Sequence, residues 1–269
     1  MSNSMEKRMN DLLFEIRNNV GYITLNRPDA ANALNAELVK ELEEVSLRCD
    51  EDPAVRAVLM TGAGKMFCGG GDLKSFAAQP AGQLPAYLKK VTFYLHKAIH
   101  RFARMAAPLI VAVNGNAGGG GMSLALAGDI VLAAESSRFT LAYTRVGLTM
   151  DGSSTYFMPR LIGLRRTMEL ALTNRVLSAR EAESIGLITR AVPDGELMKQ
   201  AEALANELAQ GATKAYGGIK RLMYASANNT LDEQMELESE AIADAGRTRD
   251  GQEGIASFLA KRPPKFKGE

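Results

Sequence analysis

Residues 108–121 read PLIVAVNGNAGGGG, and residues 55–73 read VRAVLMTGAGKMFCGGGDL. In both, a short run of apolar, β-favouring residues ends in a crowd of glycines. Such a run fits a strand buried on both faces, as in a parallel sheet. The glycines predict a loop that opens a helix, here over about 118–127. Four glycines in succession exceed what a tight turn requires, because one would serve. Glycine admits positive φ and lets backbone N–H groups approach a ligand with no Cβ between them. At a helix start those N–H groups lack intrahelical acceptors and carry the positive end of the dipole. The pattern points to a site for an anion or oxyanion, with Gly69-Gly70-Gly71 as a second donor. Nucleotide loops of the Gly-x-x-x-x-Gly-Lys-Ser/Thr and Gly-x-Gly-x-x-Gly kinds are absent.

Working outward, Leu12 to Arg17 and Val20 to Leu25 are short β-rich runs around Asn18-Asn19, the signature of a hairpin. Asn35 can cap a helix in which Leu38, Leu42 and Val45 fall on one face, and Asp52-Pro53 stops it. Gln79 to Pro85 has the composition of a mobile loop, and Leu88 to Met105 is an amphipathic helix. Asp129 to Ala134 is a further strand. From Arg160 onward helices follow one another: 196–209, 213–227, 231–246 and 250–259, with strand material only at 188–192. The whole predicts an α/β core with a helical C-terminal part that docks on the core or on a neighbouring subunit.

Composition narrows the function. The 269 residues carry 32 Lys+Arg against 31 Asp+Glu, which lacks the basic excess of a nucleic-acid or anionic-membrane binder. Two cysteines, Cys49 and Cys68, make no disulfide framework, and with two histidines they make a poor zinc set. Few histidines leave a carboxylate as the first candidate for acid–base work. No apolar run spans a membrane, and Met1 to Asn10 reads as a frayed start, with Met5 a possible second initiator; a cytoplasmic protein is expected.

The two glycine stretches together resemble the signatures of the enoyl-CoA hydratase/isomerase (crotonase) superfamily. Leu25-Asn26-Arg27-Pro28 and Ala33-Leu34-Asn35 resemble its N-terminal CoA-side loop. Residues 159–163, 178–182 and 186–188 fit later segments, so that the likeness runs from about Leu12 to Lys267. The resemblance implies a crotonase-like spiral of ββα units over residues 1–195 and an α-helical region over 196–269 that builds trimers, often paired as hexamers. It implies an acyl-CoA thioester whose carbonyl becomes an enolate, with CoA entering as part of the substrate and no separate cofactor or metal. By position, the backbone N–H groups of Gly71 and Gly120 hold the oxyanion. The carbonyl of Gly69 faces the adenine, Ala31 lies along the CoA, Lys74 meets a phosphate, and Phe258 and Lys261 reach a CoA on an adjacent subunit. Asp29 stands where members often carry a basic residue.

The resemblance also bears on the reaction. Hydratases of the superfamily handle water with two glutamates, and the matching positions here are Ser123 and Tyr143. Neither is acidic, which disfavours ordinary hydration. One carboxylate remains nearby, Asp151 in Leu-Thr-Met-Asp-Gly-Ser-Ser-Thr, residues 148–155. It has two readings: a helix N-cap, or the single acid of enoyl-CoA and ring-epoxide isomerases, moving a proton between two carbons. A second enzyme reading resembles 4-chlorobenzoyl-CoA dehalogenase, with Asp151 as nucleophile, His96 as base and Tyr143 as aromatic wall. A third is a non-catalytic acyl-CoA-binding or RNA-binding relative. Met66, Met122, Met150 and Met158 are expected to wall the acyl pocket. Cys68 and His100 are expected to be packing and surface residues, and Arg165-Arg166 a solvated helix start.

Overall fold

A computed structural model describes residues 10–269. The expectations for the N-terminal start and for Met5 lie outside these residues. Asn18 and Asn19 both take positive φ, 51° and 61°, as a two-residue hairpin turn with matching twist requires. They join β1 (Leu12–Arg17) to β2 (Val20–Leu25), paired antiparallel with Arg17 opposite Val20. Helix α1 (Ala36–Glu51) starts where Asn35 Oδ1 accepts the Leu38 N–H at 2.8 Å, and it buries Leu38, Leu42 and Val45.

The centre of the chain repeats one unit: a strand of a large sheet, a short strand of a second sheet, then helix. The first unit is β3 (Ala57–Gly62), β4 (Met66–Cys68), α2 (Leu73–Ala77) and α3 (Leu84–Arg104). The second is β5 (Leu109–Val113), β6 (Asn116–Gly118) and α4 (Gly120–Ala125). The third is β7 (Ile130–Ala134), β8 (Arg138–Thr140) and, after a loop, α5 (Ser154–Ile162) and α6 (Leu164–Thr173). Then come β9 (Leu177–Ser178), α7 (Ala179–Ser184) and β10 (Arg190–Val192). The large sheet runs β1-β2-β3-β5-β7-β10 and the small one β4-β6-β8-β9. This is the expected α/β spiral of ββα units. The second sheet is what the sequence does not announce. Its strands are two or three residues long, too short to show an alternation.

The inner strands of the large sheet are buried on both faces, and their period-2 alternation divides one apolar run between two cores. Val58, Met60, Val111 and Val113 join the core under α1 and α3. Ala57, Leu59, Ile110 and Ala112 face the other way, against α8 (Leu197–Ala209). The contact residues of α8, Ala201, Ala205 and Ala209, are small and one turn apart, which lets the helix lie close on the sheet. Then follow α9 (Thr213–Ala225), α10 (Leu231–Arg247) and α11 (Arg249–Leu259). Lys220 pins α9 to the core through Asp129 (2.6 Å) and the carbonyl of Phe102 (2.9 Å).

One boundary moves. Helix α3 begins at Leu84 rather than Leu88, and most of the expected mobile loop becomes turn and helix. Pro85 sits in the first turn, where its missing N–H costs no intrahelical bond.

Candidate active site

Parallel pairing of β4 with β6 sets the two glycine loops side by side. The contact leaves no room for side chains. A Cβ on Gly70, whose φ is +100°, would lie 2.7 Å from the Gly118 carbonyl oxygen, and one on Gly121 would lie 2.2 Å from that of Cys68. Leu34 bridges the first loop, donating its N–H to the Gly70 carbonyl (2.7 Å) and accepting from Asp72 N–H (3.1 Å). That bridge uses the groups on either side of Gly71, so the Gly71 N–H turns away from Leu34. Gly120 is the first residue of α4, where an N–H has no acceptor within its helix. Gly71 and Gly120 both line a cavity of about 360 Å³.

Its apolar wall comes from α2 and α3, with Leu73, Phe76, Leu88, Val91 and Leu95. Tyr143, Arg145, Thr149 and Asp151 supply polar groups. Asp151 arrives on the loop before α5. Gly152 holds φ +58°, and a Cβ there would sit 2.7 Å from Ser123 Cβ, so the turn lies directly on α4. Asp151 Oδ1 accepts from the Tyr143 hydroxyl at 2.5 Å, and the Tyr143 and Ser123 hydroxyls are 2.9 Å apart. Burial first, then the charge of Asp151 and the bond to it, push the Tyr143 phenol well above its ordinary pKa. Tyr143 therefore stays protonated and donates.

The helix-cap reading of Asp151 is not what the structure shows. Ser153 occupies the N-cap of α5 with no side-chain capping bond. The Asp151 main-chain carbonyl, not its carboxylate, accepts from the N–H (3.2 Å) and hydroxyl (2.7 Å) of Ser154. The carboxylate is left for Tyr143 and the cavity.

Six expected pocket residues stand outside the cavity lining. Met122 is buried in the core because it lies about 200° around α4 from Gly120. Met66, Met150 and Met158 do not line the cavity either; Met158 is core. Ser123, fully buried, stands behind Tyr143 rather than at the cavity wall. His96 is on the outer part of α3, and its Nε2 accepts the Gly152 N–H at 3.2 Å.

Among the residues matched to CoA contacts, Gly69 lines the cavity and donates its N–H to the Ala31 carbonyl at 2.8 Å. Lys74 is exposed on α2. Phe258 (84% exposed) and Lys261 are at the end of α11 and line no part of this cavity. Cys68 behaves as a packing residue: it is fully buried, and burial pushes its thiol up to about 12. His100 and Arg165-Arg166 are exposed, as expected of surface residues.

The sequence reading missed an ion pair that braces the loop. Arg27 meets Asp72 (2.9 Å) and Asp11 (3.3 Å) and donates to the Ala33 carbonyl. Burial works against the charge on Asp72, but the Ser75 N–H and Arg27 outweigh it and hold the carboxyl below its usual range. It also missed Phe76 and the α3 residues of the cavity wall; their only signal was an amphipathic face that reads equally as core. Among the described residues no cluster of three or more His, Cys, Asp or Glu is gathered for a metal ion. No helix among them is long and apolar enough to cross a membrane.

Comparison with known proteins places these features. The family model for enoyl-CoA hydratase/isomerase matches residues 15–269. The chain is 40% identical over 261 residues to 1,2-epoxyphenylacetyl-CoA isomerase of Escherichia coli K12, covering 97% of this chain and all of the relative. It is 33% identical over 243 residues to 4-chlorobenzoyl coenzyme A dehalogenase-2 of an Arthrobacter species, covering 90% and 88%. Among solved structures, an enoyl-CoA hydratase from Bacillus anthracis superposes with a TM-score of 0.90 at 32% identity, over 96% of this chain and all of that one. The fold is that of the crotonase enzymes. The chain belongs to the enoyl-CoA hydratase/isomerase family.

Proposed function

We propose that the protein is an acyl-CoA isomerase that moves a double bond in a medium-sized enoyl-CoA or rearranges a ring-bearing acyl-CoA. The N–H groups of Gly71 and Gly120 receive the thioester oxygen as it becomes an enolate. Asp151 takes a proton from the carbon beside the thioester and returns it two carbons away. The C–H bond breaks as O–H forms, its electron pair moves onto the thioester oxygen, and both are restored at the second carbon. CoA lies along Ala31, Gly69 and Lys74, with Phe258 and Lys261 reaching the CoA of an adjacent subunit. CoA enters as part of the substrate, with no further cofactor. Residues 1–195 form the catalytic core, and residues 196–269 assemble it as a homotrimer or a dimer of trimers. Exposed apolar side chains there, such as Met223, Ile242 and Phe258, support that reading. The protein works in the cytoplasm.

One observation carries the reaction. The cavity wall holds a single carboxylate, that of Asp151. The two positions where the superfamily's hydratases place glutamates carry Ser123 and Tyr143, whose hydroxyls bond to one another. One base suffices for a proton shuttle, whereas hydration by the usual route employs two. The isomerase relative, matched along its full length, agrees with this.

Converting 3-enoyl-CoA to 2-enoyl-CoA with the wild type and with Asp151→Asn tests the proposal; equal rates remove Asp151 from the mechanism. Dehalogenase-type hydrolysis needs a base beside Asp151. His96 does not line the cavity, and its Nε2 is taken up by Gly152. Chloride release from 4-chlorobenzoyl-CoA would reinstate that reading. CoA binding without turnover across a panel of esters would mark a binding-only relative.

A further inference from the structure

We propose that Tyr143, held by Ser123, is a positioning residue that fixes the Asp151 carboxylate with Oδ1 occupied and leaves Oδ2 alone to carry the proton. The inference rests on the isomerase reading above and adds to it which oxygen works, and why.

The Asp151 loop is pinned through its backbone. Gly152 donates its N–H to His96 Nε2 (3.2 Å) and packs its α-carbon against Ser123, and the Asp151 carbonyl is held by Ser154. These contacts fix the main chain and leave the carboxylate free to rotate. Only the Tyr143 bond at 2.5 Å removes that freedom. No salt bridge reaches Asp151 among the described residues, so this hydroxyl is its one side-chain partner there.

Tyr143 in turn cannot easily turn away. Its proton is committed to Asp151, so the 2.9 Å contact with Ser123 is a bond that Ser123 donates. Ser123 is completely buried, and besides Tyr143 its hydroxyl reaches only the Gly119 carbonyl, at 3.3 Å. The chain Ser123 to Tyr143 to Asp151 therefore runs in one direction, with every donor aimed at the carboxylate. It also fills the side of Asp151 from which water would otherwise approach Oδ1.

A carboxylate so held takes and returns the proton through one oxygen, on one face of the substrate. The C–H electron pair goes to the thioester oxygen as Oδ2–H forms, and the reverse transfer at the second carbon releases the same proton. With Oδ1 bonded to Tyr143, the proton cannot pass to that oxygen, and exchange is confined to water that reaches Oδ2.

The test compares wild type, Tyr143→Phe, Ser123→Ala and Asp151→Asn of the full chain on a 3-enoyl-CoA in D2O. It records kcat, KM and the deuterium content of the product by mass spectrometry. Tyr143→Phe keeps the ring and loses one hydrogen bond to a charged group, so kcat should fall by about 10–100-fold. KM should stay within about twofold, and deuterium in the product should rise. Ser123→Ala should move both readouts in the same direction by less. If Tyr143→Phe matches the wild type in kcat and deuterium while Asp151→Asn is inactive, the positioning role is overturned and the isomerase reading stands. If the wild type does not isomerise, or Asp151→Asn equals it, both fall. If Tyr143→Phe fails to fold by circular dichroism, Ser123→Ala decides alone, because it leaves the Tyr143 ring in place; unchanged deuterium content then overturns the role.

Discussion

Two acids near the ends of α4 show how partners decide what a carboxylate is for. Asp129 Oδ2 accepts from the Leu109 N–H (2.8 Å) and from Lys220 (2.6 Å), which also reaches the carbonyls of Phe102 and Ala107. Burial pushes Asp129 up and Lys220 down, and each charge opposes the shift of the other. The pair is closed: donors and acceptors answer one another, and α9 is tied to the sheet. Asp151 has one hydroxyl on one oxygen, no ion-pair partner among the described residues, and a place in the cavity wall. A saturated acid braces the fold, and an unsaturated one is free to act on what enters the cavity.

The comparison breaks most readily at Asp151. Asp151→Asn should lower isomerase kcat by about 10³-fold, within the range for a lost general base, while the melting temperature holds. Loss of stability with unchanged turnover would give Asp151 the role ascribed here to Asp129. Asp129→Asn should do the converse. Leaving Lys220 charged and half-paired in the interior should cost about 3–5 kcal/mol in denaturant unfolding, with turnover per folded molecule retained. Pairing Asp129→Leu with Lys220→Met should recover much of that loss, since an apolar pair carries no desolvation cost.

The backbone side of the cavity sharpens the contrast, because its groups cannot be deleted by substitution, only displaced. A Cβ on Gly120 would meet Leu34 Cδ1 at 3.0 Å and approach Asp151 Oδ1 to 3.8 Å. Gly120→Ala should shift the N–H and lower kcat by about 10²-fold, with a smaller loss in CoA binding by calorimetry. The least effect is expected at Cys68, which adjoins the same loop. With its thiol raised to about 12 by burial, it should resist alkylation at pH 8 in the native protein, and Cys68→Ala should leave turnover unchanged.

Much of this was legible in the residues. The Asn-Asn turn, the Asn35 cap and the buried strands at β5 and β7 each rest on a local rule that the tertiary structure had no reason to overrule. The glycine loops were legible as a place where backbone must approach backbone. The small sheet was not, since Asn116-Ala117-Gly118 has no pattern until β4 and β8 pair with it. Nor was the sorting of methionines: Met122 adjoins the glycine loop in sequence and turns into the core because a helix separates neighbours by about 100°. The capping reading of Asp151 failed for a related reason. Ser153 and the Asp151 carbonyl serve the start of α5, and the side chain is drawn off by a tyrosine eight residues earlier.

Sequence by itself determined the repeating strand–glycine–helix units, the charge balance that disfavours nucleic acid, and a short list of acids with Asp151 at its head. Those are consequences of residue type and local spacing. The tertiary structure alone decided which of two acids is left unsaturated, which donor faces it, and that Ser123 stands behind Tyr143 rather than at the cavity wall. Hydrogen-bond saturation depends on groups far apart in the chain, and only packing brings Lys220 to Asp129 and Tyr143 to Asp151.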